Sequence, residues 1–155
     1  MKVASMLPGT VRPAICCRDS TRPYPRDVDD GHVEDEYART PGDLFAGFPD
    51  GLAICHAVQD AVSGLGGASM TTTKSQVVFR RRRGFAYVWR PGQYIASDVP
   101  AVLSIALPRR AGSDRFKEIA HPSATVWMHH LELHGPRELD AEVLGWLAEA
   151  HAGAG

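Results

Sequence analysis

Apolar positions along this chain change period twice, and the changes divide it into a helical part, a sheet and a second helix. From Asp50 onward, Leu52, Cys55, Val58, Val62 and Leu65 recur every three or four residues. That spacing places them on one stripe of an α-helix. His56 and Gln59 fall off the stripe and are expected to face solvent, and Gly64, Gly66 and Gly67 end the run. Thr40 followed by Pro41 marks an earlier helix start, the threonine as cap and the proline in the first turn. The folded domain is therefore expected to begin near Thr40.

From Met70 the period becomes two. Strands are predicted at Met70–Thr73, Gln76–Arg81, Phe85–Arg90, Ala101–Leu107 and Thr125–Leu133, all rich in Thr, Val, Ile and aromatics. Gly84, Pro91 with Gly92, and the stretch from Pro108 to Asp114 supply the breaks. A short helical piece is predicted at Arg115–Ala120. After Pro136, Leu139, Val143, Trp146, Leu147 and Ala150 form the apolar stripe of a closing helix. Helix, antiparallel meander, helix is an α+β fold. The expected architecture is an antiparallel sheet of four to five strands, flanked by an N-terminal and a C-terminal helix.

The hairpin from Arg80 to Gly84 sets the register of the meander. A three-residue turn of Arg82, Arg83 and a left-handed Gly84 puts Arg81 opposite Phe85. Phe79 then faces Tyr87 and Val77 faces Trp89, all on one side of the sheet. A slip of one residue would exchange the faces.

Residues 1–39 differ in kind. They interleave Pro8, Pro13, Pro23 and Pro25 with many charges and show no periodicity. Such a segment buries too little apolar area to offset its ordering entropy, so it is expected to be a disordered leader to a single domain at 40–152. Over the whole chain of 155 residues, 23% are charged and the formal net charge is −1. Nucleic-acid binding would have to come from a local basic patch. Cys16, Cys17 and Cys55 show no disulfide or zinc spacing. With no secretory signal and no apolar run near the roughly 20 residues of a membrane helix, a cytoplasmic protein without a membrane partner is expected.

Several stretches resemble a known family. They are Lys74-Ser75-Gln76, Phe79, Arg82-Arg83-Gly84-Phe85-Ala86 and Trp89-Arg90-Pro91-Gly92, followed by Trp127-Met128-His129-His130-Leu131-Glu132-Leu133. Together with the closing helix, this pattern resembles a family of small bacterial proteins catalogued as a domain of unknown function. The resemblance runs from about Thr40 to His151, and it implies no established activity, substrate or cofactor.

Two patches carry candidate chemistry. Arg80, Arg81, Arg82 and Arg83 concentrate charge at a turn, with Lys74 and Gln76 leading into the strand and Tyr87 and Trp89 offering flat faces. Guanidinium groups clamp phosphates and aromatic faces stack on bases, so this patch suits an anionic ligand, nucleic acid first among them. The competing explanation is an exposed turn beside a core face of aromatics.

The second patch is the strand carrying His129 and His130. Alternation puts Trp127, His129, Leu131 and Leu133 on one face, and Met128, His130, Glu132 and His134 on the other. His130 with Glu132 is a candidate metal pair, and His121 is a further candidate ligand. His130 and His134 lie about 13 Å apart along an extended strand, so one ion is not expected to bridge His130, Glu132 and His134 together. The other candidate pair is His130 with His134 curled back past Gly135. No resident cofactor is otherwise implied. His129 on the apolar face reads as a core histidine, or as a general base at the mouth of a pocket.

No nucleophile elbow, phosphate loop or dinucleotide fingerprint occurs, and whether the chain is an enzyme is left open. The leading expectation is a non-catalytic module for an anionic ligand. The alternative is a small-molecule binder or enzyme with a pocket between sheet and helices, lined by Gln76, Tyr87, Trp89, His129 and His130.

Overall fold

The computed structural model describes residues 39–155. The expected leader lies outside the described residues except for Arg39, which bridges Thr72 in antiparallel fashion. Thr40 caps a short helix, α1 (Pro41–Leu44). Its hydroxyl accepts from the Asp43 amide, and the Asp43 carboxylate accepts from the Thr40 amide at 2.7 Å. This reciprocal pairing satisfies two donors that a helix start leaves open, and it holds the Asp43 carboxyl below its usual range.

Two longer helices follow, α2 (Pro49–Leu65) and, at the far end of the sequence, α3 (Ala141–Gly153). Between them run β1 (Ser69–Thr72), β2 (Gln76–Arg80), β3 (Gly84–Trp89), β4 (Ala101–Leu107), β5 (Phe116–Ser123) and β6 (Val126–Leu133). The strands form one sheet in the order β1-β2-β3-β4-β6-β5, every neighbouring pair antiparallel.

The fold is α+β, with six strands where four to five were expected. The additional strand is β5, which occupies the segment expected to be helical. Phe116 and Ile119 stand three residues apart, a spacing that imitates a helix. Register shifts between Phe116 and Glu118 and between Ala120 and Ser123 account for it, because each shift breaks the alternation of a strand.

One core joins the helices to the sheet. Ile54, Cys55, Val58 and Val62 of α2 and Val143, Trp146, Leu147 and Ala150 of α3 cluster with Val77, Phe79, Val88, Leu103, Ile105, Leu131 and Leu133. Directly opposed residues share a face, and Val77, Val88, Leu103 and Leu131 stand in one cross-strand row. Cys55 is fully buried within this cluster, and burial pushes its thiol up to about 12, so it behaves as a small apolar residue. Val78, Val102 and Met128 are also buried, but they belong to the opposite sheet face and stand outside the cluster.

The hairpin register differs from expectation by one residue. Phe79 faces Ala86, Val78 faces Tyr87, and Gln76 faces Trp89. Arg81, Arg82 and Arg83 form the connection, and Gly84 already pairs with Arg80. Phe85 is therefore the extra residue of a bulge, which tilts it into the core against the edge of the His151 ring. As a result Tyr87 and Trp89 lie on the face opposite Phe79.

Gly84 is not among the glycines of positive φ. Its lack of a side chain matters for another reason: a Cβ there would meet the Tyr87 hydroxyl. Glycine at this position lets the tyrosine ring lie across the strand.

Gly51 of α2 shows a related constraint. A Cβ would sit 2.6 Å from Phe45 Cδ1 and 2.7 Å from the Pro100 carbonyl oxygen. Alanine gains up to about 1 kcal/mol of helix propensity over glycine, while overpacking against backbone costs about 1–3 kcal/mol. Gly51→Ala is expected to lower stability by about 1–2 kcal/mol, read as a reduced urea midpoint. A raised midpoint would show that α2 shifts freely on the sheet.

Candidate functional site

The sheet face opposite the helices carries two adjacent cross-strand rows of polar and aromatic residues. One row is Gln76, Trp89, Val102 and Glu132, and the other is Val78, Tyr87, Ser104, His130 and Glu118. Gln76, Tyr87, Trp89 and Glu132 are partly buried, whereas Ser104 and His130 are buried. Arg80 belongs to the same face through its pairing with Ser69, and it is exposed at the far end of β2. Lys74 is exposed at the near end, in a turn where the Thr73 hydroxyl accepts from the Ser75 and Gln76 amides.

A chain of hydrogen bonds crosses the middle of this face. Trp89 Nε1 donates to Ser104 Oγ at 2.9 Å, and Ser104 Oγ lies 2.7 Å from His130 Nδ1. Ser104 has no exposure at all, so its own proton needs an acceptor. Among the described residues, His130 Nδ1 is the acceptor within reach. The proton of the neutral His130 ring is therefore on Nε2. Burial, reinforced by the neighbouring His129, pushes the His130 pKa down to about 4.

His129 sits on the other face and is neutral in the opposite tautomer. Its Nε2 accepts from the Ala111 amide at 2.9 Å, so Nδ1 carries the proton and donates to the Trp127 carbonyl at 3.0 Å. Phe116 packs on its ring with centroids 4.7 Å apart and bridges it to Trp146 of α3. Burial lowers its pKa. His129 is a core histidine with both nitrogens engaged. The register puts His129 on the helix side of the sheet and Gln76, Tyr87, Trp89 and His130 on the other, so the five do not share one face.

The arginine turn divides its labour. Arg81 donates to the His151 carbonyl at 3.1 Å and Arg83 to the Gly153 carbonyl at 2.7 Å, and the Arg82 and Arg83 amides both donate to the Ala154 carbonyl. Two guanidinium groups thus cap the last turn of α3, where the helix leaves carbonyls unpaired and its dipole favours cations. All four arginines, Arg80 to Arg83, are exposed, so what sets Arg81 and Arg83 apart is their bonds to α3 and not burial.

The metal candidates do not gather. Glu132 lies 3.8 Å from Lys117 Nζ, and His121 stacks on Trp127 with centroids 3.8 Å apart. His134 is exposed beyond the end of β6. Among the described residues no group of three or more His, Cys, Asp or Glu is placed to hold a metal ion. No helix there is long and apolar enough to cross a membrane.

Ser104 is the site residue that sequence reasoning passes over. It is the one hydroxyl in the otherwise apolar strand Ala101–Leu107, and a buried hydroxyl in such a setting must find a partner. That signal points to a polar contact without naming it.

A family model described as Domain of unknown function (DUF5655) matches residues 42–152. No curated protein and no solved structure matches the chain.

The neutral state of His130 has a measurable consequence. Its folded pKa lies below the ordinary value of about 6.5, so the unfolded chain takes up the proton first. The stabilisation is complete above about pH 6.5 and is lost as pH falls toward 4, reaching roughly 2 kcal/mol by pH 5. His130→Asn keeps an acceptor near the Nδ1 position and cannot titrate. Urea unfolding at pH 7 and pH 5 is expected to show a smaller pH-dependent loss in this variant, and equal losses would mean that His130 charges freely in the folded protein.

Proposed function

The chain belongs to the DUF5655 family, a domain of unknown function, and on that footing we propose a non-catalytic binding module that takes an anionic ligand bearing a planar group. The ligand lies on the sheet face opposite the helices. The observation that carries this reading is the placement of Gln76, Tyr87, Trp89 and His130 in adjacent rows of one face, with Lys74 and Arg80 at the two ends of β2. Aromatic side chains accept flat groups by stacking, and the two cations supply paired donors and charge for phosphates. Single-stranded nucleic acid meets both requirements.

The non-catalytic part rests on His130. Held near 4, its imidazole is a weak base at neutral pH, where acid–base catalysis works best with a pKa close to the operating pH. The anionic part moves from the arginine turn to the ends of β2, because Arg81 and Arg83 are engaged by the carbonyls of α3. A cytoplasmic setting belongs to the same proposal and draws on the free thiol of Cys55.

Fluorescence anisotropy with a labelled single-stranded oligonucleotide tests it. The wild-type protein is expected to bind at micromolar concentration, more weakly as salt rises. Replacing Lys74 and Arg80 together by alanine is expected to weaken binding about tenfold and flatten the salt dependence. Replacing Arg81 and Arg83 instead is expected to leave affinity near wild type and to lower Tm by several degrees, as the cations at the end of α3 are lost. Absence of binding at low salt would overturn the proposal.

A further inference from the structure

We infer that Trp89 and Ser104 fix His130 in a single tautomer, so that the site offers its ligand a hydrogen-bond donor at Nε2 and selects a ligand oxygen that carries no proton. The inference deepens the proposed binding function and rests on it. Its starting point is the indole, which has a donor and no acceptor. Trp89 Nε1 lies 2.9 Å from Ser104 Oγ, so the serine oxygen must receive that hydrogen. A fully buried hydroxyl that has accepted one bond must still place its own proton, and His130 Nδ1 stands 2.7 Å away. The direction of the first bond therefore sets the second, and the second sets the tautomer.

Geometry holds the chain rigid. Trp89, Ser104 and His130 lie on three neighbouring strands, β3, β4 and β6, with Ser104 directly opposite His130. The Trp89 and His130 rings meet nearly edge to face, 86° apart. His130 has no hydrogen bond at Nε2 among the described residues, so that N–H is the polar group left for a partner.

A donor fixed in this way discriminates by chemistry. A ligand presenting an N–H or a protonated oxygen there would set two hydrogens against each other, leaving both buried and unpaired. A phosphate or carboxylate oxygen accepts the bond. With Lys74 and Arg80 at the ends of β2, phosphate is the oxygen anion of choice, whether free or carried by a nucleic acid. Ser104 acts here as a positioning residue and makes no contact with the ligand itself.

The test is NMR of protein labelled with 15N at histidine, with His130 identified by its loss in His130→Asn. Long-range 1H–15N spectra report which ring nitrogen is protonated. The wild-type protein is expected to show His130 with the proton on Nε2. Trp89→Phe keeps a ring and removes the donor, and Ser104→Ala removes the link. In either folded variant the His130 signals are expected to move toward the mixture of tautomers of an unconstrained imidazole.

A proton on Nδ1 in the wild type would overturn the inference. So would an unchanged tautomer in both variants. Titration with inorganic phosphate and with a short single-stranded oligonucleotide is expected to shift the Nε2 resonance, and the probe that shifts it at the lower concentration identifies the source of the phosphate. Ser104→Ala is expected to weaken that binding about threefold to tenfold. If the oligonucleotide binds by anisotropy while Nε2 stays unmoved, the inference fails and the binding function stands. If neither probe binds, the binding function fails and takes this ligand selection with it.

Discussion

The bulge at Phe85 is the constraint from which the rest of this domain follows. A sheet residue reaches one face or the other according to its place in the ladder, so a single extra residue exchanges the faces of everything beyond it. With Phe85 inserted, Ala86 and Val88 join Phe79 and Val77 beneath the helices, and Tyr87 and Trp89 emerge opposite. Phe85 itself enters the core beside His151, which in turn bonds the Gly66 carbonyl at the end of α2. The same local irregularity therefore ties the hairpin to both long helices and sends the aromatic strip to the opposite face of the sheet.

The electrostatics of the arginine turn follow from that placement. Four consecutive arginines look like an anion clamp, yet the turn lies against the last turn of α3. Unpaired carbonyls at a helix end attract cations and amide donors, and Arg81, Arg83 and the backbone of Arg82 answer them. The other end of α3 has its own counter-charge: the Asp140 cap and Glu142 pair with Arg115, which also reaches the Glu138 carbonyl. Three of the arginines, Arg81, Arg83 and Arg115, therefore serve one helix, whereas Lys74 and Arg80 lie at the ends of β2.

His129 and His130 show how neighbouring identical residues acquire different work. Alternation sends them to opposite faces. Both are buried and neutral, so each must settle its hydrogen bonds as one donor and one acceptor. His129 spends both nitrogens on backbone groups and anchors the segment around Ala111. His130 spends one on Ser104, and the polarity of that bond is dictated by the next link of the chain, the Trp89 indole, which can only donate.

Helical periodicity made α2 and α3 legible because those helices bury one stripe, and the apolar face of His129 was legible because β6 alternates without interruption. The capping signal at Thr40 lies within four residues and was legible for the same local reason. β5 was not, since its register shifts erase the period of two, and β5 is a strand because β6 supplies its ladder partner. The hairpin faces were also hidden: Arg82, Arg83 and Gly84 fit a turn one residue later as well as the observed one, and the choice falls to Phe85 finding the core. Ser104 had a signal but no partner, because Trp89 and His130 meet it only when β3, β4 and β6 lie side by side. Sequence determined what depends on neighbours within a turn or a strand. Tertiary structure decided register, the duty of each arginine and the polarity of the site, because these depend on contacts between segments far apart along the chain.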